Sequence, residues 1–167
     1  MGGYCRDTTT GTCSVRSDAR VADDGATGDG GACPTAPCGA AGVPIGSGEC
    51  AAYCSQQLAF AGVLATCGSD SGASGWHIAI VDSDAERTTF GVALPNDVGW
   101  VGLAQTAAVW RWLDPSDDVQ APTEPPWASG EPVATNPYGL FDSTSQSDLL
   151  RSGTSSEAHG FFCEYRP

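Results

Sequence analysis

Lysine is absent from this 167-residue chain, and seven arginines stand against 20 Asp and Glu, a net charge of -13. Such a field repels nucleic-acid phosphates, heparin-like polymers and anionic membrane surfaces, so no nucleic-acid partner is expected. No stretch approaches the ~18 consecutive apolar residues that a spanning helix needs, which excludes membrane insertion by that route. No Gly-x-Ser-x-Gly, His-Glu-x-x-His or phosphate-loop pattern occurs, and the two histidines, His77 and His159, lie far apart in the chain. No catalytic residue is therefore assigned, and a binding protein rather than an enzyme is expected. Glycosylation sequons are also lacking, because Asn96 precedes Asp97-Val98 and Asn136 precedes Pro137. The opening residues Met1 to Arg6 carry no apolar signal core, and Arg6 stands where a myristoylation site needs Ser or Thr. A segment of a larger exported protein is expected.

What the chain does have is eight cysteines. In a soluble chain of this size they point to an oxidising compartment and a secreted or cell-surface location. The acidity suits the hard cation calcium, whose ligands are oxygens; the plainer reading is the solvated acidity of many extracellular bacterial proteins.

Residues 1–32 read as an acidic, Cys-containing tail or linker, rich in Thr, Asp, Gly and Ala and without hydrophobic periodicity. Within it, Cys5 and Cys13 are placed to close a short loop. The run from Asp23 to Gly30 has the chemistry of a calcium loop but neither the alternating Asp spacing nor the terminal Glu of an EF-hand. Cys33, Cys38, Cys50 and Cys54 follow in a Pro/Gly-rich stretch. Two close pairs also suit a zinc knuckle, but no His lies near, and disulfides are the preferred reading. With Cys5 and Cys13 they make six Cys, which allow 15 pairings, so the connectivity is open.

Phe60, Val63, Leu64 and Cys67 fall at i, i+3, i+4 and i+7, which predicts a helix ending near Cys67. Trp76 to Val81 reads as a short strand. Ser83-Asp84-Ala85-Glu86 fits a capping box, opening a second helix that carries Phe90 and Leu94 and stops near Pro95. The helices are expected near 56–67 and 84–94. Six of the eleven prolines lie from Pro115 to Pro137. Proline lowers the entropy of the unfolded chain, so a long loop here can be ordered without regular structure, and long ordered loops are usually functional.

Taken together, Phe60, Cys67, Trp100-Val101-Gly102-Leu103, Trp110-Arg111-Trp112, Trp127, Gly130-Glu131-Pro132 and Phe161-Phe162-Cys163-Glu164 resemble, in order and spacing, the landmarks of the C-type lectin-like domain. The resemblance covers roughly the C-terminal two thirds of the chain. It implies an α+β fold with two helices, small antiparallel sheets and a long loop region, stapled by disulfides. The domain would span 33–167, with a Cys-rich N-terminal extension and a core of about 50–167, its first and last strands side by side. It implies a disulfide from Cys67 to Cys163, worth about 4–5 kcal/mol in the chain-entropy model. It also suggests that Cys38 pairs with Cys50 in an N-terminal hairpin, which leaves Cys33 for Cys54.

In that family's sugar binders, calcium sits on a Glu-Pro-Asn or Gln-Pro-Asp triplet, usually with a cis proline. An Asn-Asp pair on a later strand, usually after a Trp, completes the site. The resemblance carries over Glu131 and Asp148 as candidate ligands, with Asn136 or Asp142 able to rebuild a third. Val133, however, stands where the triplet needs an oxygen donor, and Gln146-Ser147 depart from the later motif. The family's second disulfide is also missing, with residues 139–141 and 151–153 near those positions. Trp127 is a candidate for stacking on a sugar ring or for anchoring the loop. Asp114, Asp117, Asp118 and Glu124 form an acidic flank that is either solvated or holds a structural cation. The resulting expectation is an extracellular recognition module for a protein or cell-surface ligand, lacking the standard calcium-dependent sugar site. The alternatives are a calcium-dependent lectin with a remodelled site and a structural domain of a surface layer or filament.

Overall fold

The computed structural model describes residues 32–46, 48–68, 75–81, 83–93, 97–113, 126–144 and 149–167. Cys5, Cys13, Leu94, Gln146, Ser147, Asp148, and the acidic flank at Asp114, Asp117, Asp118 and Glu124 lie outside them.

Strand β8 (His159–Tyr165) organises the fold because both of its faces and both of its edges are covered. Alternate side chains of a strand point to opposite faces. Phe161 and Cys163 accordingly enter one cluster with Trp100, Phe60 and Trp76, while Phe162 enters another with Phe90, Phe141, Trp112 and Leu150. Along one edge, β8 pairs antiparallel with β2 (Glu49–Leu58), which in turn pairs with β1 (Val43–Gly46). The entering and leaving strands of the domain thus lie side by side, as expected. Short β3 (Trp76–Ile78) also pairs with β8. On the other edge, β8 runs parallel to β4 (Val98–Thr106) through Gly99 and Trp100. Beyond β4 come β6 (Tyr138–Asp142) and β7 (Leu149–Gly153), while β5 (Val109–Trp112) forms a hairpin with β4.

Helix α1 (Phe60–Cys67) buries Phe60, Val63 and Cys67, the i, i+3, i+7 face expected from the sequence. It has no side-chain N-cap, and Gly68 at φ 101° closes it with an N–H to Leu64 O bond of 3.0 Å. An eight-residue helix is marginal alone; the Cys67–Cys163 disulfide ties its end to β8. Helix α2 (Asp84–Ala93) opens with the expected reciprocal cap: Glu86 N donates to Ser83 Oγ, and Ser83 N donates to Glu86 Oε2, each at 3.2 Å. Gly102 lets β4 approach β3, donating to Ala79 O at 2.7 Å where a Cβ would meet Ile78 Cγ2 at 2.9 Å.

At the far end of β8, Arg166 gathers the carboxylates of Glu164 (2.7 Å), Glu49 (3.7 Å) and Glu86 (3.9 Å). Glu164 is fully buried and also accepts from Ile80 N at 3.1 Å. Burial holds its carboxyl above the usual carboxylate range, against the opposing pull of Arg166. Among the described residues no helix is long and apolar enough to cross a membrane.

Two expectations are corrected. Residues 56–58 belong to β2 rather than to α1, because Leu58 is held in register with His159. The N-terminal disulfides are Cys33–Cys50 and Cys38–Cys54, not Cys38–Cys50 and Cys33–Cys54. Cys33 lies by the start of β2 and Cys38 further along it, so the 33–38 segment runs in the same direction as the strand. Cys50 and Cys54, an even number of residues apart, both enter the Trp100 cluster.

Candidate functional site

Ahead of the Glu131-Pro132-Val133 triplet, residues 126–128 extend along the outer edge of β7. Ala128 N donates to Leu150 O at 2.8 Å, and Leu150 N donates to Pro126 O at 2.9 Å. This places Trp127, half-buried, against Trp110 with ring centroids 4.8 Å apart. The chain then turns, with Glu131 N bonded to Ala128 O at 3.0 Å and Gly130 at φ 86°, a conformation that favours glycine. The Glu131–Pro132 bond is cis.

Past the turn the side chain of Glu131 meets β7, and its partner there is Ser152. Glu131 Oε2 accepts from Ser152 N at 3.1 Å, from Ser152 Oγ, and from Val133 N at 3.2 Å. Val133 N also donates to Ser152 Oγ at 2.8 Å. Asn136 Nδ2 donates to Ser152 O at 3.2 Å, and Asn136 Oδ1 accepts from Thr135 Oγ1 at 3.1 Å. Every polar group of Ser152 is thus bonded to the 131–136 loop. Asp142 is buried at the end of β6 with its carboxylate otherwise engaged: Oδ2 faces Arg151 Nη2 at 2.7 Å, and Oδ1 accepts from Thr144 N at 2.9 Å and Thr144 Oγ1 at 2.6 Å.

The structure therefore brings Glu131 and Asn136 together through Ser152, sets Trp127 on the bridged segment that leads into them, and ties Asp142 to Arg151. The donors converging on Glu131 are N–H and O–H groups, which occupy a carboxylate lone pair that a cation would otherwise use. Calcium takes six to eight oxygens; among the described residues no group of three His, Cys, Asp and Glu side chains is placed to hold a metal ion.

Sequence reasoning missed Ser152. The resemblance puts the later ligand pair at Ser147-Asp148, outside the described residues, whereas the described strand facing Glu131 carries Arg151-Ser152. The available signal was the alternation along Leu149 to Gly153, which puts Leu150 and Ser152 on one buried face and Arg151 on the exposed one.

The histidines do not join this site. His77 is buried on β3 with Nδ1 2.9 Å from Ile78 O. His159 lies 3.2 Å from Glu157 and edge-on to Trp100, with ring centroids 5.1 Å apart.

No family model and no curated protein sequence matches the chain. Solved structures do. Human lithostathine superposes with a TM-score of 0.62 over 81% of this chain and 91% of its own, at 14% identity. The C-type lectin CEL-I from Cucumaria echinata gives 0.61 over 80% and 97%, at 17% identity. The C-type lectin domain of murine dendritic cell inhibitory receptor 2, solved in complex with N-glycan, gives 0.65 over 81% and 99%, at 16% identity. At such identities the likeness speaks for architecture alone, and the architecture it shows is the C-type lectin-like fold.

Proposed function

We propose that this chain is an extracellular recognition module. It binds a protein or other cell-surface ligand through the loop region from Asp114 to Asp142, without the calcium-bridged sugar site of C-type lectins. The observation that carries this reading is the engagement of Glu131 by three donor groups of Val133 and Ser152. A site that closes on its own hydrogen bonds does not present converging oxygens to a cation. The three disulfides among the described residues support an oxidising compartment. Binding rather than catalysis agrees with the loop anchored on β7 and with the lectin-like neighbours.

A second reading, calcium-dependent carbohydrate binding, is favoured by the likeness to a domain solved with N-glycan. It would use Glu131 and Asp148. One experiment separates the two. A ligand that binds only the native state raises the melting midpoint, so the midpoint should not move between chelator and millimolar calcium. Sub-millimolar calcium binding that disappears in Glu131→Ala sinks the proposal, and a glycan array run in calcium and in chelator then identifies the sugar.

A further inference from the structure

Two disulfides meet in the core. Cys54 Sγ, bonded to Cys38, lies 3.8 Å from Cys163 Sγ, bonded to Cys67. Both facing sulfurs are buried. Cys38 is only half-buried, and together with Tyr53, Cys54 and Ser55 it lines an open pocket of about 280 Å³. Cys38 thus borders the open pocket while its mate touches the disulfide that holds α1 to β8. Thiol–disulfide exchange requires a thiolate with access to a disulfide sulfur. This arrangement supplies that access once the outer bridge is opened.

We propose that the four cysteines form an intramolecular disulfide relay, which passes reduction at the surface to the bridge between α1 and β8. A dithiol reductant attacks Cys38 Sγ and the Cys38–Cys54 bond breaks. The dithiol supplies two electrons and leaves as its own disulfide, and Cys38 and Cys54 become thiols. Cys54 loses its proton to bulk solvent through the open pocket and attacks Cys163 Sγ. The Cys54–Cys163 bond forms as the Cys67–Cys163 bond breaks, and the electron pair leaves on Cys67. Cys67 takes up a proton, and its thiol has Phe162 O 3.9 Å away as an acceptor. The second step has one thiol and one disulfide on each side, so it needs no further reductant.

The sheet explains both why this is feasible and what it changes. Ala52 stands opposite Cys163 and Cys54 opposite Phe161, so Cys54 is the diagonal neighbour of Cys163. Diagonal positions are ~7–8 Å apart, slightly beyond the usual disulfide span, so the exchanged bridge needs a small shift of β2. The register shifts between Cys54 and Leu58, so the ladder is already irregular on that side of Cys54. The exchange then unties α1 from β8. Phe60 of α1 stacks on Tyr138, at the start of β6, with ring centroids 4.2 Å apart. Loosening α1 therefore reaches the strand into which the long loop runs.

The test uses the full chain, folded, with one equivalent of dithiothreitol, acid quench, alkylation and non-reducing peptide mapping. The relay predicts label on Cys38 and Cys67 and a bridged Cys54–Cys163 peptide. Label on Cys38 and Cys54 with Cys67–Cys163 retained overturns it. Two variants keep the test decisive. Cys38→Ser begins with a free Cys54 and should show the Cys67 thiol without any reductant; a map with Cys67–Cys163 fully retained counts against the relay. In Cys54→Ser, labelling of Cys67 at the same dithiothreitol dose should be lost, and its persistence would show direct reduction instead.

Discussion

Ser152 carries the clearest energetic prediction. Its hydroxyl donates to Glu131 and accepts from Val133 N, while the residue itself is buried. Ser152→Ala keeps the Cβ, so no sizeable cavity opens. Val133 N keeps a second acceptor in Glu131 Oε2 at 3.2 Å and is not orphaned. The loss is therefore the hydrogen bond to a charged acceptor, about 1.5–3 kcal/mol, trimmed toward the lower end because Glu131 is only half-buried. For a domain of this size each kcal/mol moves the melting midpoint by roughly 2–4 °C, so a loss of about 1.5–2 kcal/mol gives an expected fall of about 3–8 °C. Urea titration of the wild type, Ser152→Ala, Glu131→Ala and the double variant isolates the pair. Residues sharing one hydrogen-bond network couple by ~0.5–3 kcal/mol, and a value of about 1 kcal/mol or more is expected. Additive effects, or a loss below about 0.5 kcal/mol in Ser152→Ala, would refute the claim that this contact closes the loop.

Three further outcomes follow from the geometry. Val133→Asn combined with Ser152→Asp replaces an apolar side chain and a donor by oxygens, so the double variant should bind calcium and melt higher in its presence, while losing stability in chelator through repulsion between the introduced carboxylate and Glu131; no calcium response by calorimetry would mean the loop does not present these positions together. Gly102→Ala should destabilise by about 1–3 kcal/mol in urea titration, because the new Cβ meets Ile78 Cγ2 at 2.9 Å and Ala79 O at 3.2 Å; a neutral result would mean β3 and β4 separate readily. Glu164, faced by Arg166 and Glu49 and opposite His77 on β3, has a carboxyl raised by burial, so the folded state binds its proton more tightly than the unfolded state, and this group's contribution falls as pH rises through the raised value. The stability of wild type minus that of Glu164→Gln should therefore increase on acidification from neutral pH, and a difference that stays flat or decreases would contradict the assignment.

Much of the fold is legible in the sequence because local and tertiary signals agree. The helical register of Phe60, Val63 and Cys67 and the reciprocal cap of Ser83 and Glu86 are short-range patterns that the tertiary structure reinforces. Residues 56–58 escape such a reading because the start of an uncapped helix leaves no local mark. Pairing with His159 decides that boundary, and a partner 101 positions away, 159 minus 58, is invisible to a local window. The N-terminal disulfides are hidden for a related reason: four Cys in a Gly/Pro-rich stretch carry no sign of which way the first segment runs along β2. That direction is a tertiary feature, evident only once Cys33 is seen beside Cys50 and Cys38 beside Cys54.

The candidate site divides along the same line. Glu131 is legible from Trp127 through Pro132 because the turn that presents it is local. Its partner is not, because which residue of β7 faces it depends on the register of β6 with β7, where Gly139 pairs with Ser152 and Leu140 with Arg151. A shift of one residue would put Arg151 on the buried face and Ser152 in solvent. With the observed register, Ser152 binds Glu131, Val133 and Asn136 through its N–H, hydroxyl and carbonyl. On the proposed function, this has a consequence for affinity. A bound cation would hold the two sides of such a loop by charge, and here donor hydrogen bonds do so. The 131–136 surface is then ordered before any ligand arrives, and binding carries less of the ordering cost that mobile loops incur. Recognition through this surface should therefore be indifferent to calcium and sensitive to Ser152→Ala, which loosens the loop without touching its exposed face.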